Sequence, residues 1–236
     1  MGDMKPTTTS IENPYLPDIF HGTTSLYGKS VSAQRFLVSQ FISQYDTDHK
    51  ILYISPSEPQ QFLTFASEMC EQNMNKVNTK TVKTMSEQQR MIEYMKVGYE
   101  NISGVIIDPF TTHYRLNRAA ITNGFRPVGI DDESTESQAL TQLEKEIFQQ
   151  VQQLYIISHK RQIPIIVTNE SYYNPDKERI CPLGGKLSNR WYDNEFEVQI
   201  DSPTRTIEMN NTRAGNPDPL RFSLDKKYHS LIGDIQ

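Results

Sequence analysis

The stretch with the clearest chemical potential is His21-Gly22-Thr23-Thr24-Ser25-Leu26-Tyr27-Gly28-Lys29-Ser30. Its last three residues match the end of a phosphate-binding loop, in which backbone N–H groups cradle phosphate, a lysine neutralises it and a hydroxyl holds Mg²⁺. The full motif wants glycine where Thr23 stands, and the nearest glycine, Gly22, comes one residue early, so the loop is either longer or strained. On this reading Gly22, Thr23, Thr24, Ser25, Gly28, Lys29 and Ser30 surround a nucleotide. A Gly-Lys-Ser tripeptide alone means little. Its weight comes from lying between a first strand, read at Ile19-Phe20, and a first helix, the junction where α/β folds bind phosphate. Asp108 ends the apolar run Val105-Ile106-Ile107, a placement from which a carboxylate reaches Mg²⁺ through water. Ser30 and Asp108 are therefore the expected metal contacts; without Lys29 and Ser30, an aspartate capping a loop would be the simpler reading.

The elements that would position these residues alternate between strand and helix. Ala33, Leu37, Val38, Phe41, Ile42 and Tyr45 recur at helical spacing after the loop. Ile51–Ile54 reads as a short strand, followed by a helix face of Phe62, Phe65, Ala66, Met69, Cys70 and Asn73. Ser86 and Gln89 resemble a capping box opening a helix with Ile92, Met95 and Tyr99 on one side. Residues 115–138 are polar, with Gly124, Pro127 and Asp131-Asp132-Glu133, and read as a long loop. Leu140, Leu143, Ile147, Val151, Leu154 and Ser158 define a long amphipathic helix. Ile163–Thr168 is a continuous apolar strand, as expected where helices cover both faces of a parallel sheet. Beyond Trp191 the period changes to two at Phe196, Val198 and Ile200, then Ile207 and Met209, then Leu220, Phe222 and Leu224. Ser202-Pro203 and Gly215-Asn216-Pro217 supply the turns. The expected fold is α/β, with a mainly parallel central sheet flanked by helices and antiparallel strands appended at the C-terminal end.

At 236 residues one domain is the default, with residues 1–18 as an irregular leader and 19–236 as the core. No apolar run approaches the ~20 residues needed to cross a bilayer, so no membrane role is expected and a cytoplasmic location is. Cys70 and Cys181 are far apart and the five histidines are scattered, which argues against a disulfide framework or a zinc site. A net charge of −5 gives no overall attraction to phosphate backbones, so nucleic-acid binding would need a local basic patch.

The residues from Gly104 to Arg115, Gly-Val-Ile-Ile-Asp-Pro-Phe-Thr-Thr-His-Tyr-Arg, resemble the Walker B strand and following segment of archaeal RadB recombinase paralogues, within the RecA superfamily. In that family a hydrophobic strand runs into Asp-Ser-(Ile/Val)-Thr-x-x-(Tyr/Phe)-Arg. Arg161–Asn169 is similar to the strand before the second DNA-binding loop of RecA-type proteins, and Pro182-Leu183-Gly184-Gly185 to the end of that loop. Arg213, Leu220–Leu224 and Ile232-Gly233-Asp234 are similar to the family's terminal hairpin. The resemblance implies a RecA-like core that binds ATP with Mg²⁺. Family ATPases carry a glutamate after the second strand to orient the attacking water; here Ser57 holds that place and Glu58, the candidate catalytic residue, comes one later. The family's Asn-Gln pair that senses the γ-phosphate is replaced by Asn169-Glu170, whose carboxylate would repel phosphate. These departures imply very slow ATPase activity at most.

For single-stranded DNA the candidate contacts are Arg115, Arg118 and Arg126 in the first long loop, and Tyr172, Tyr173, Lys177, Arg179, Lys186 and Arg190 in the second. Interleaved cations and aromatics suit a single strand, whose phosphates are neutralised and whose bases stack. Asp131, Asp132, Glu133, Asp176 and Glu178 would blunt that potential. The resemblance implies an accessory factor in homologous recombination and DNA repair, associating with a RecA/RadA-type recombinase, with single-stranded DNA, or with both, as a homo- or hetero-oligomer. The alternatives are a DNA-dependent ATPase that forms its own filament, and a KaiC-like regulatory protein without DNA binding.

Overall fold

A computed structural model describes residues 14–45, 48–69, 74–123, 133–184, 189–201, 206–213 and 219–224. Its centre is an eight-stranded sheet ordered β10-β9-β8-β1-β5-β4-β2-β3. The strands are β1 (Thr23–Tyr27), β2 (Lys50–Ser55), β3 (Val77–Thr81), β4 (Ile102–Ile107), β5 (Ile165–Asn169), β8 (Asn194–Asp201), β9 (Thr206–Asn211) and β10 (Leu220–Ser223). All pairings from β3 across to β8 are parallel, whereas β9 and β10 join antiparallel at the β8 side. The alternating residues of β8 to β10 produce that extension: Phe196, Val198, Ile207, Met209 and Phe222 face the core and polar residues face away.

Helices cover the sheet on two sides. On one side α1 (Leu16–Ile19), α2 (Val31–Gln44) and α3 (Gln60–Met69) bury Leu16, Leu37, Phe41 and Phe62 against Leu26, Ile106, Ile166 and Val198. On the other, α4 (Met85–Met95) and α6 (Glu133–Arg161) bury Ile92, Met95, Leu143, Ile147, Val151 and Leu154 against Leu52, Ile107 and Ile165. Among the described residues no helix is long and apolar enough to cross a membrane.

Several local expectations need correction. Thr23–Tyr27 is a strand, not the loop its motif implies, and every residue of it is buried. Threonine and tyrosine are good strand formers, and pairing with β5 on one side and β8 on the other satisfies their backbone groups. Ile19-Phe20, read as the first strand, instead closes one turn of helix, Leu16–Ile19, which begins within the leader expected to be irregular and inserts fully buried Leu16 into the core. Helix α4 is capped by Thr84 rather than Ser86: Thr84 Oγ1 accepts from Glu87 N at 3.1 Å, and Glu87 Oε2 accepts from Lys83 N at 2.7 Å. The polar stretch after Asp108 holds helix α5 (Thr112–Thr122), whose His113 and Tyr114 are buried while Arg115 to Arg118 face solvent. The second long loop is a two-stranded hairpin of β6 (Ser171–Asn174) and β7 (Arg179–Pro182), closed by a 3-10 turn at Pro175–Lys177. The expectations for Cys70, Asn73, Gly124, Arg126, Pro127, Asp131, Asp132, Gly185, Lys186 and Ile232-Gly233-Asp234, for most of the leader, and for the turns Ser202-Pro203 and Gly215-Asn216-Pro217 lie outside the described residues.

Candidate functional site

Parallel strands place their C-terminal ends on one edge, so Gly28 to Ser30 after β1, Glu58 after β2, Asp108 after β4 and Glu170 after β5 share that edge. Lys29 and Asp108 thus stand on the same side of the sheet with β5 between them. Gly22, Thr23, Thr24 and Ser25 are not brought to this edge. Gly22 lies at the opposite end of β1 with φ +66°, where a Cβ would come within 2.3 Å of Asp193 Oδ2. The same carboxylate oxygen accepts from Thr23 N at 2.7 Å and from Thr23 Oγ1 at 2.8 Å. Ser25 Oγ accepts from Asn169 Nδ2 at 2.8 Å, inside the sheet.

What remains of the expected loop is a turn of three residues, Gly28, Lys29 and Ser30, between β1 and α2. A phosphate loop needs about eight residues to wrap backbone N–H groups around an anion, and this turn is too short to do so. Its other groups are engaged in the fold. A Cβ on Gly28 would lie 2.1 Å from the Val198 carbonyl oxygen, so glycine is required by strand packing alone. The Gly28 carbonyl accepts from Gln34 Nε2 at 3.3 Å and from Ser171 Oγ at 3.0 Å. Ser30 Oγ caps α2 by accepting from Ala33 N at 3.1 Å. The Lys29 side chain is exposed.

Asp108 is 1% exposed, and both of its oxygens are taken. Oδ2 accepts from Arg35 Nε at 3.1 Å and from the Tyr53 hydroxyl at 2.5 Å, and Oδ1 accepts from the Thr168 hydroxyl. Burial, then the neighbouring Asp108 charge, push the Tyr53 hydroxyl well above its ordinary range, which keeps it a donor. Tyr53 is itself stacked on Phe62, with ring centroids 4.1 Å apart. An internal guanidinium therefore supplies the positive charge that a metal ion would bring to this carboxylate. The residues present do not fit a magnesium–triphosphate group: the cradle is too short, and the carboxylate is already neutralised. Arg35, Tyr53 and Thr168 were not singled out by motif. Arg35 carries a visible signal, being the sole charged residue in α2.

The hairpin edge lies beside this cluster. Tyr172 and Tyr173 are 45% and 61% exposed, and Lys177 and Arg179 are exposed near the turn. Arg115 and Arg118 lie on α5, which starts from the same edge, and Tyr172 lies close enough to act on the buried Tyr114 of that helix. Arg115 Nε holds Glu170 Oε2 at 2.7 Å, so the carboxylate expected to repel phosphate is paired. Glu58 is exposed at the end of β2. Arg190 does not join this group. It precedes β8 at the opposite edge, where its neighbour Trp191 gives its carbonyl to Thr23 Oγ1 at 2.9 Å.

No family model matches the chain, and no curated protein matches it. A search of solved structures finds the crystal structure of the RadB recombinase, at a TM-score of 0.61 and 19% identity, covering 91% of this chain and 98% of that one. With the strand order and the antiparallel extension described above, this likeness identifies the fold of the chain as the RecA-like α/β fold.

Proposed function

We propose that this chain is an accessory factor in homologous recombination and DNA repair, working through its hairpin edge without turning over nucleotide. The observation that carries the reading is the ion pair of Arg35 with Asp108 beside a three-residue turn, in a fold shared with a recombinase. Asp108 keeps the position of a metal-directing carboxylate but is held by the protein's own cation. Exposed Tyr172 and Tyr173, with Lys177, Arg179, Arg115 and Arg118 around them, offer stacking surfaces and phosphate-directed charge. The partners of this edge are single-stranded DNA and a recombinase of the RecA/RadA type, in a homo- or hetero-oligomer, with the DNA determining where in the cell the protein resides.

Three measurements test the reading. Phosphate release with ATP, Mg²⁺ and single-stranded DNA is expected at background, and calorimetric titration with ATP and Mg²⁺ is expected to give no heat of binding. Turnover abolished by Lys29→Ala would overturn this and establish a DNA-dependent ATPase. Anisotropy of a labelled oligonucleotide is expected to rise with protein and to fall as salt increases. No binding at low ionic strength would favour a regulatory protein without a DNA role.

A further inference from the structure

The sheet face away from α2 carries a buried polar cluster that the site above does not use. On it, Ser25 of β1 stands in register with Glu195 of β8, and Tyr27 stands in register with Asn169 of β5. Glu195 is 7% exposed. Its Oε1 accepts from Thr212 Oγ1 at 2.9 Å, while its Oε2, also buried, has no hydrogen-bond partner among the described residues. A buried carboxylate oxygen without a donor is among the costlier arrangements in a protein interior.

The side chains that act on Glu195 are Thr212 and Arg213, which follow β9, and Lys177 and Arg179 of the hairpin. The Glu195 charge is felt in turn by Tyr192, which precedes β8, and by Tyr27 on β1. Glu197, the next residue on that face of β8, also acts on Tyr27. Burial pushes the Glu195 carboxyl up from its ordinary value; Thr212, Arg213, Arg179 and Lys177 pull it back down. Arg213 already donates to the Arg190 carbonyl at 3.4 Å. The Lys177 and Arg179 side chains have no hydrogen bond or ion pair among the described residues. The hairpin is tied to the seam between β1 and β8 at its base, where Ser171 Oγ donates to the Gly28 carbonyl at 3.0 Å and Gly28 packs against the Val198 carbonyl of β8, and the Arg179 charge is felt by Tyr27 as well as by Glu195.

We propose that Glu195 is the seat on which the β6–β7 hairpin closes: Lys177 or Arg179 turns inward to donate to Glu195 Oε2, withdrawing that cation from the surface that would meet a phosphate backbone. The missing donor and the unpaired cations complete each other. Closure needs no nucleic acid; its consequence, that Glu195 competes with phosphates for the same two side chains, rests on the function proposed above. The hairpin is then self-restrained, and a bound strand must displace Glu195 to use both cations.

Amide exchange across residues 171–182 of the full chain, without nucleic acid, tests the closure. Glu195→Gln keeps the bond to Thr212 and removes the charge, and it should speed exchange on the order of fivefold, the scale of a partly exposed ion pair. The double variant Lys177→Gln/Arg179→Gln alters exposed side chains and leaves the core intact, so it reports even if Glu195→Gln fails to fold. It should accelerate exchange to the same extent, and the triple variant should add nothing, because all three changes break one contact. Unchanged exchange in the double variant, or effects that multiply, would overturn the closure. A labelled oligothymidylate separates the two layers. Glu195→Gln should tighten its binding about threefold at low salt. Faster exchange with unaltered affinity would refute the competition alone, and failure of the unmodified chain to bind the oligonucleotide would refute the proposed function while the exchange result still decides the closure.

Discussion

Replacing Arg35 by methionine keeps most of the apolar stem of the side chain and removes its charge. Asp108 would then be a nearly fully buried carboxylate with only the Tyr53 and Thr168 hydroxyls left to stabilise it. Removing one partner of a buried pair costs about 3–5 kcal/mol. The Arg35 side chain is 26% exposed and two donors remain, so the cost falls to about 2–3 kcal/mol. With a urea m-value of about 3 kcal/mol/M, the unfolding midpoint should drop by about 0.8 M. The control is the same substitution beside Asp108→Asn, where no charge awaits a partner; there it should cost about 1 kcal/mol. The difference, roughly 1.5 kcal/mol, is the coupling between the two side chains. Equal losses in both backgrounds, or a loss below about 0.5 kcal/mol in the single variant, would refute the claim that Arg35 neutralises Asp108.

Gly28→Ala puts a Cβ within 2.1 Å of a backbone carbonyl on β8, and separating β8 from β1 should cost about 3 kcal/mol, read as a fall of roughly 9 °C in Tm. Glu195→Gln should raise the midpoint of global unfolding more at pH 7 than at pH 4, even as it loosens the hairpin locally. Burial raises the folded carboxyl, so the unmodified protein is favoured when this group is neutral and loses stability as pH rises through its folded value, and the amide escapes that loss. Equal differences in urea midpoint at both pH values would contradict the assignment. Tyr173→Ala should weaken oligonucleotide binding by about 1–3 kcal/mol, with the salt dependence unchanged, since a stacking surface is lost and no cation is.

Much of the scaffold was legible in the residues. The runs Val105 to Ile107 and Ile165 to Thr168 are apolar because helices cover both faces, and the stripe from Leu143 to Leu154 marks α6 without ambiguity. The site was harder to read, because its motif and its local structure disagree. Glycine, threonine and serine before Lys29 look like a loop, yet Thr23 to Tyr27 is the strand with neighbours on both sides, a state fixed by segments far along the chain. The hairpin and α5 were hidden for a related reason: each exposes most of its side chains, so composition reads as loop while backbone pairing or one buried turn decides the structure. Arg35 could have been found from its isolation in an otherwise uncharged helix, but its partner Asp108 follows a different strand, and no sequence spacing links them.

The position of β1 bears on how the protein comes off the ribosome. This strand has no sheet neighbour until residues 165–169 and 194–197 have been made. The nascent chain must therefore carry five sheltered-in-the-end residues, Thr23 to Tyr27, with open backbone edges through most of its synthesis. Contacts of such sequence separation close slowly, and exposed strand edges invite pairing with other chains. Translation arrested before β5 should thus yield a chaperone-dependent, protease-sensitive product rather than a stable half-molecule.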